Sequence, residues 1–207
     1  MAEQHIQSTS PATLFAKRLA IADPPYPPFS GSGGIKNRAS RWYGYGQRSA
    51  KDKPADRHPE ADTWDSPKRH RQLLEELLCG YDGFVIATSL DGIAAYGELP
   101  AAARIAIWHR ANANPGAHRI RTTCEAVIVY PPEGRRSNRS GVGMVPDHLS
   151  VPVPRGGFTG MKPDAWVDWV LDMLTYTPGD VVVDLFPGSG QVGRAVARRQ
   201  VLEVSNG

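Results

Sequence analysis

The run "DVVVDLFPGSGQVGRAVARR", Asp180 to Arg199, contains the three parts of an α/β unit in order. Three successive valines between two aspartates form a short β-branched strand. Gly188, Gly190 and Gly193 follow in G-x-G-x-x-G spacing, and a stretch with helical character begins at once. Glycine allows a sharp turn and lets the backbone approach a ligand closely, while the first N–H groups of the next helix lack intrahelical partners. In an open α/β sheet, ligands gather at the carboxyl ends of the strands. The run therefore places a ligand-facing turn at one end of a sheet.

What that turn holds is narrowed by what surrounds it. A dinucleotide site needs an acidic residue ~20 positions beyond the glycines, at the end of a second strand. Here the sequence runs only from Gly193 to Gly207, so a second mononucleotide half would have to lie upstream. No Lys-Ser or Lys-Thr follows the glycines, which excludes a phosphate-binding P-loop. A smaller ligand is needed, and S-adenosylmethionine is one that lies across the strand ends of a parallel sheet.

Upstream, strands and helices alternate. "LAIA" (19–22) is a short apolar strand, and "GFVIATS" is another, ending at Thr88 and Ser89. Between them "WDSPKRHRQLLEELLCG" reads as a helix with Asp65 or Ser66 as cap and Pro67 in the first turn. Leu73, Leu74, Leu77 and Leu78 form its buried stripe, and Gly80 stands at C′. "GELPAAAR" reads as a short helix, and "RIAIWHR" and "CEAVIVYPP" as strands. "KPDAWVDWVLDMLTYTPGD" sets Trp166, Trp169, Val170, Met173 and Leu174 on one helical face, as core residues. This alternation predicts an open, largely parallel α/β sheet, with antiparallel pairing of "RIAIW" and "EAVIVY" at one edge as the alternative. Residues 1–17 read as a flexible tail and 18–207 as one domain, with long loops at about 27–63 and 131–160.

Composition sets outer bounds. Hydrophobic residues make up 41% of the 207, enough for one substantial core, and the formal net charge is a mild +3. The charge is unevenly spread. Lys36, Arg38, Arg41, Arg48, Lys51, Lys53 and Arg57 share one segment with Trp42, Tyr43 and Tyr45, a mixture suited to phosphates and exposed bases. A solvated loop with incidental charge is the alternative. Cys79 and Cys124 are far apart and lack a CxxC partner, so neither a disulfide framework nor a structural zinc is expected, and no metal site is assigned. No apolar stretch reaches ~20 residues and no signal-peptide core is visible, so a cytoplasmic protein is expected.

One further stretch is unusual. "IADPPYPPFS", Ile21 to Ser30, closes the first strand with four prolines, which cannot serve a central ladder. Asp-Pro-Pro-Tyr (Asp23, Pro24, Pro25, Tyr26) early in the chain pairs with Asp-Leu-Phe-Pro-Gly-Ser-Gly (Asp184, Phe186, Pro187, Gly188, Ser189, Gly190) near its end. A "KP…W" helix start (Lys162, Pro163, Trp166) lies between them. This combination resembles the amino-methyltransferases that modify the exocyclic nitrogen of adenine or cytosine in DNA, in their circularly permuted β-class arrangement. With "IATS" and "IAIWHRANA" it is similar to compact phage and actinobacterial DNA methylases.

The resemblance implies a Rossmann-like S-adenosylmethionine-dependent methyltransferase fold, circularly permuted, with a mostly parallel sheet and helices on both faces. It implies transfer of a methyl group to a base amine, with adenine N6 favoured by DPPY; cytosine N4 in DNA, adenine in RNA, or a non-catalytic nucleic-acid-binding protein are the alternatives. Asp23 and the Pro24 carbonyl would accept hydrogen bonds from the amine, Pro25 would stiffen the loop, and Tyr26 would stack on an extruded base. Asp23, Lys162, Asp184, Phe186, Pro187, Gly188, Ser189 and Gly190 would surround S-adenosylmethionine, with Glu203, on a strand formed by "VLEV", binding the ribose. Phe29, Lys36, Arg38, Arg41, Trp42, Tyr43, His109 and Asn112 would contact DNA. Where relatives have Thr after G-S-G, this chain has Gln191. Sheet strands found in larger relatives would be missing, and a homodimer could cover the open edge.

Overall fold

The computed structural model describes residues 16–28, 60–113, 120, 122–137, 143–155 and 160–204. Phe29, Lys36, Arg38, Arg41, Trp42 and Tyr43, and nearly all of the expected N-terminal tail, lie outside the described residues.

Among the described residues six strands form one sheet: β1 (Arg18–Ala22), β2 (Gly83–Thr88), β3 (Arg104–Arg110), β4 (Cys124–Tyr130), β5 (His148–Val151) and β6 (Val181–Asp184), in the order β5-β3-β4-β2-β1-β6. β1 pairs in parallel with both β2 and β6, and β3 with β5. β4 is antiparallel to both β2 and β3, so the sheet is mixed. The alternative pairing of "RIAIW" with "EAVIVY" is the one adopted, but inside the sheet rather than at its edge. One edge is β5, four residues within a span expected to be loop, and the other is β6. Beyond either, the described residues provide no further strand.

Among the described residues three helices cover the sheet: α1 (Pro67–Gly80), α2 (Asp164–Met173) and α3 (Gln191–Val204). Successive strand residues point to opposite faces, and the core divides accordingly. Ala20, Ala22, Phe84, Ile86 and Ile128 pack against Leu73, Leu74 and Leu77 of α1. Leu19, Ile21, Val85 and Ala87 pack against Trp166, Val167, Val170 and Leu171 of α2, with Val192 and Ala195 of α3. Helices thus lie on both faces.

Several local expectations are corrected. Leu78 is 40% exposed and lies outside the α1 stripe. Gly80 is the last residue of α1, with Tyr81 as cap and no left-handed glycine there. "GELPAAAR" is a turn: Gly97 has φ +75 and the Ala103 amide bonds to the Pro100 carbonyl. The helical turn lies just before it, a 3₁₀ segment Leu90–Tyr96 that buries Gly92 and Tyr96. "VLEV" is no strand but the last turn of α3. No Gly or Pro interrupts the run after Arg199, and Arg199 is clamped to Asp168 (3.2 Å) and Asp172 (2.7 Å) of α2. The helical continuation removes the strand on which Glu203 was expected to reach a ribose.

Asp180 fixes the register of the two site-bearing strands. Its carboxylate accepts from the Lys17 amide at 2.7 Å and the Thr177 amide at 2.8 Å, and it forms a bidentate pair with Arg135. Both charged side chains are buried. Burial pushes the Asp180 carboxyl up, but the Arg135 guanidinium and the two amides outweigh it and hold it below the usual aspartate range. Removing one partner of a buried pair strands the other's charge. Asp180→Ala is therefore expected to cost about 3–5 kcal/mol in urea unfolding at neutral pH. A depressed carboxyl stabilises above its unfolded value and loses that contribution as pH falls through the folded one. The gap between the two proteins should accordingly narrow in acid.

Candidate active site

β1 and β6 are adjacent, parallel and in register, with Ile21 opposite Asp184. The two sequence motifs therefore leave the same end of the sheet side by side. The Leu185 amide bonds to the Ile21 carbonyl at 3.0 Å, tying one loop to the other.

From β1 the chain runs into Asp23, then Pro24 and Pro25, both buried, a half-buried Tyr26 and a buried Pro27. The prolines make no ladder bonds; they fix the backbone by their rings and by packing. That packing needs Gly92: a Cβ there would lie 2.7 Å from Pro27 Cγ and 2.5 Å from Thr88 Oγ1.

From β6 the chain enters the glycine turn. Gly188 and Gly190 have φ +44 and +74, a region in which side-chain-bearing residues are strained. The Gly190 amide closes the turn onto the Pro187 carbonyl. Ser189 Oγ donates to Gln191 Oε1 at 3.1 Å, so Gln191 is engaged within the turn. Phe186 meets the edge of the Trp64 ring at 5.2 Å and so packs into the core beneath the turn. Pro187 and Gly188 are exposed.

A charged network lies beside Asp23. Lys162 Nζ donates to both Asp23 oxygens, at 2.8 and 2.7 Å, and to Tyr26 Oη at 3.1 Å. Tyr26 Oη donates to Glu125 Oε2, and Arg110 pairs with the other Glu125 oxygen at 3.4 Å. The Lys162 ammonium also lies 5.4 to 5.9 Å from the ring centres of Tyr26, Trp166 and Trp108, within cation–π range. Lys162 was expected beside a cofactor; here its ammonium is placed on the DPPY loop. Glu125 was not singled out by sequence, whereas Trp108 and Arg110 were read with His109 as the end of a strand at the ligand-binding edge of the sheet. A trace existed for Glu125, which stands as the one acid within the strand "CEAVIVY".

Burial pushes the Asp23 carboxyl above its usual value and Glu125 adds to the rise, while Lys162 opposes both. Burial likewise raises Asp184, against the Phe186 amide, and Asp23 raises it further. Two partly buried carboxylates thus lie at adjacent strand ends at the expense of their hydration, and a cation brought near would favour the charged form of both.

His109 and Asn112 lie at this same end. His109 Nδ1 is hydrogen-bonded with Ser150 Oγ at 2.9 Å. The Asn112 amide both donates to the Val153 carbonyl (3.0 Å) and accepts from its N–H (2.7 Å), which pins the exit of β3 to the segment after β5.

The mixed sheet with helices on both faces matches a Rossmann-like methyltransferase fold. Among solved structures the chain is similar to the crystal structure of the M1.HpyAVI–SAM complex, with a TM-score of 0.52. The match covers 89% of this chain and 79% of that one at 15% identity, a likeness of fold. No protein-family model matches the sequence, and no curated protein does. Among the described residues no helix is long and apolar enough to cross a membrane.

Proposed function

We propose that the chain is an S-adenosylmethionine-dependent DNA methyltransferase acting on an exocyclic base amine, with adenine N6 as the favoured target. The observation that carries this reading is the adjacency of the Asp-Pro-Pro-Tyr loop and the glycine turn on neighbouring parallel strands. Chain order, with the Asp-Pro-Pro-Tyr strand first and the glycine-turn strand last, supports the permuted arrangement. The fold shared with the M1.HpyAVI–SAM complex supports the cofactor.

The residues present suit the methionine end of that cofactor. Asp184 and Asp23 supply negative charge toward an ammonium and a sulfonium, and the first amides of α3 supply donors toward a carboxylate. Gly188 and Gly190 keep the turn free of side chains. When bound, S-adenosylmethionine supplies an electrophilic methyl group.

The chain's own task is the amine. Its lone pair is delocalised into the base ring and is poorly nucleophilic. Asp23 and the Pro24 carbonyl accept from the two N–H groups, turning the amine toward tetrahedral geometry and localising the pair. Tyr26 holds the extruded base by stacking. Rate enhancement then comes mainly from positioning. A homodimer across the β6 edge would complete the sheet.

The test is transfer of labelled methyl to unmethylated duplex DNA, followed by digestion to nucleosides. Labelled N6-methyladenine is the expected product. N4-methylcytosine would correct the base, label in single-stranded RNA alone would correct the polymer, and no transfer to either would overturn the reading.

A further inference from the structure

Glu125 belongs to none of the motifs, yet it shares Lys162 and Tyr26 with the Asp23 network. Its side chain is 14% exposed, on the inner strand β4. Arg110 holds one carboxylate oxygen, and Arg110 is itself tied to the Thr122 carbonyl at 2.7 Å. The other oxygen receives the Tyr26 hydroxyl and lies 3.6 Å from Lys162 Nζ. Lys162 donates to Tyr26 Oη, and the hydroxyl's own proton goes to Glu125 Oε2, with Asp23 as a second carboxylate in reach. A relay results: Arg110 fixes Glu125, Glu125 fixes the hydroxyl, and the hydroxyl fixes the plane of the ring.

We propose that Glu125 is a positioning residue that sets the tilt of the Tyr26 ring through its hydroxyl, and thereby the surface on which the target base stacks. This rests on the DNA-methyltransferase reading above. A phenyl ring alone would offer the same stacking area, so the hydroxyl's contribution is direction. Charge-assisted hydrogen bonds of this kind hold geometry more firmly than neutral ones.

The experiment is a double-mutant cycle with Tyr26→Phe, Glu125→Ala and both together, assayed as kcat and KM for duplex DNA, with Tm recorded for each. Each single change is expected to reduce kcat/KM for DNA by about 10-fold with the KM for S-adenosylmethionine unchanged. The double variant should be no worse than the poorer single one. Glu125→Gln, which keeps an acceptor, should recover most of the loss. Losses that multiply to about 100-fold in the double variant would overturn the proposal. If Glu125→Ala does not fold, the cycle is run with Glu125→Leu, which fills the same space without an acceptor, under the same criterion. A second readout needs neither cofactor nor DNA. In protein carrying ¹³C at tyrosine Cζ, the Tyr26 resonance should move in Glu125→Ala and stay in place in Glu76→Gln. A resonance indifferent to Glu125 overturns the positioning contact. No methyl transfer by the unsubstituted protein overturns the functional reading, and the base-stacking role with it, so the two failures are told apart.

Discussion

Asp23→Asn should reduce methyl transfer by about 10³-fold while S-adenosylmethionine binding falls far less. Asparagine keeps the shape of the side chain, so the buried Pro24 and Pro25 need not move. It loses the anionic acceptor that the amine requires. Its amide would also present donors toward Lys162, whose ammonium now bonds both aspartate oxygens. One of those two bonds is lost, and Lys162 keeps Glu125 and Tyr26 as neighbours. Single-turnover rates with saturating cofactor, beside equilibrium binding by calorimetry, separate the two effects. Equal losses in rate and cofactor binding would mean that Asp23 serves the cofactor rather than the amine.

Lys162→Met should affect both stability and pH dependence. The ammonium lies between two carboxylates, 2.7 Å from Asp23 and 3.6 Å from Glu125. Without it these two partly buried charges are left close together, at a cost of about 3 kcal/mol near neutrality. The Asp23 carboxyl, already raised by burial against the pull of Lys162, would rise further. A carboxyl raised in the folded state carries no penalty below its unfolded value. The penalty grows as pH climbs through the folded one. The Tm deficit of Lys162→Met should therefore be smaller in acid and widen toward neutrality. If Asp23 acts as a carboxylate, the acid limb of the rate profile must move to higher pH in the variant. An unmoved limb would remove Asp23 as the titrating group.

Both predictions depend on contacts that the linear chain hides. Lys162 and Asp23 are 139 residues apart, and a KP motif gives no sign of which carboxylate its lysine will meet. Glu125 was visible as an acid in an apolar strand, but its partner Tyr26 is 99 residues away. Side-chain networks of this kind are set by sheet order, and sheet order is weakly encoded in any one segment.

Local pattern failed where two local signals competed. Three alanines after Leu-Pro suggested a helix at 97–104, but Gly97 and Pro100 made a turn instead. β-branched "VLEV" suggested a strand, but the clamp of Arg199 onto α2 extended α3 through it. β5 has four residues, too few to register against the surrounding Gly, Pro and Arg; its parallel pairing with β3 makes it a strand.

By itself, the sequence determined the units whose signals are local and strong. These are the Val-rich strand with its glycine turn and helix, the proline-locked loop after β1, the leucine stripe of α1 and the tryptophan face of α2. Each follows from backbone freedom or from apolar spacing within a dozen residues. Tertiary structure alone decided that β1 and β6 are neighbours, that β4 runs against both its partners, and that Lys162 and Glu125 flank the proline loop. Those outcomes depend on which faces bury against which and on charges meeting across the sheet, energies that exist only once the chain has closed on itself.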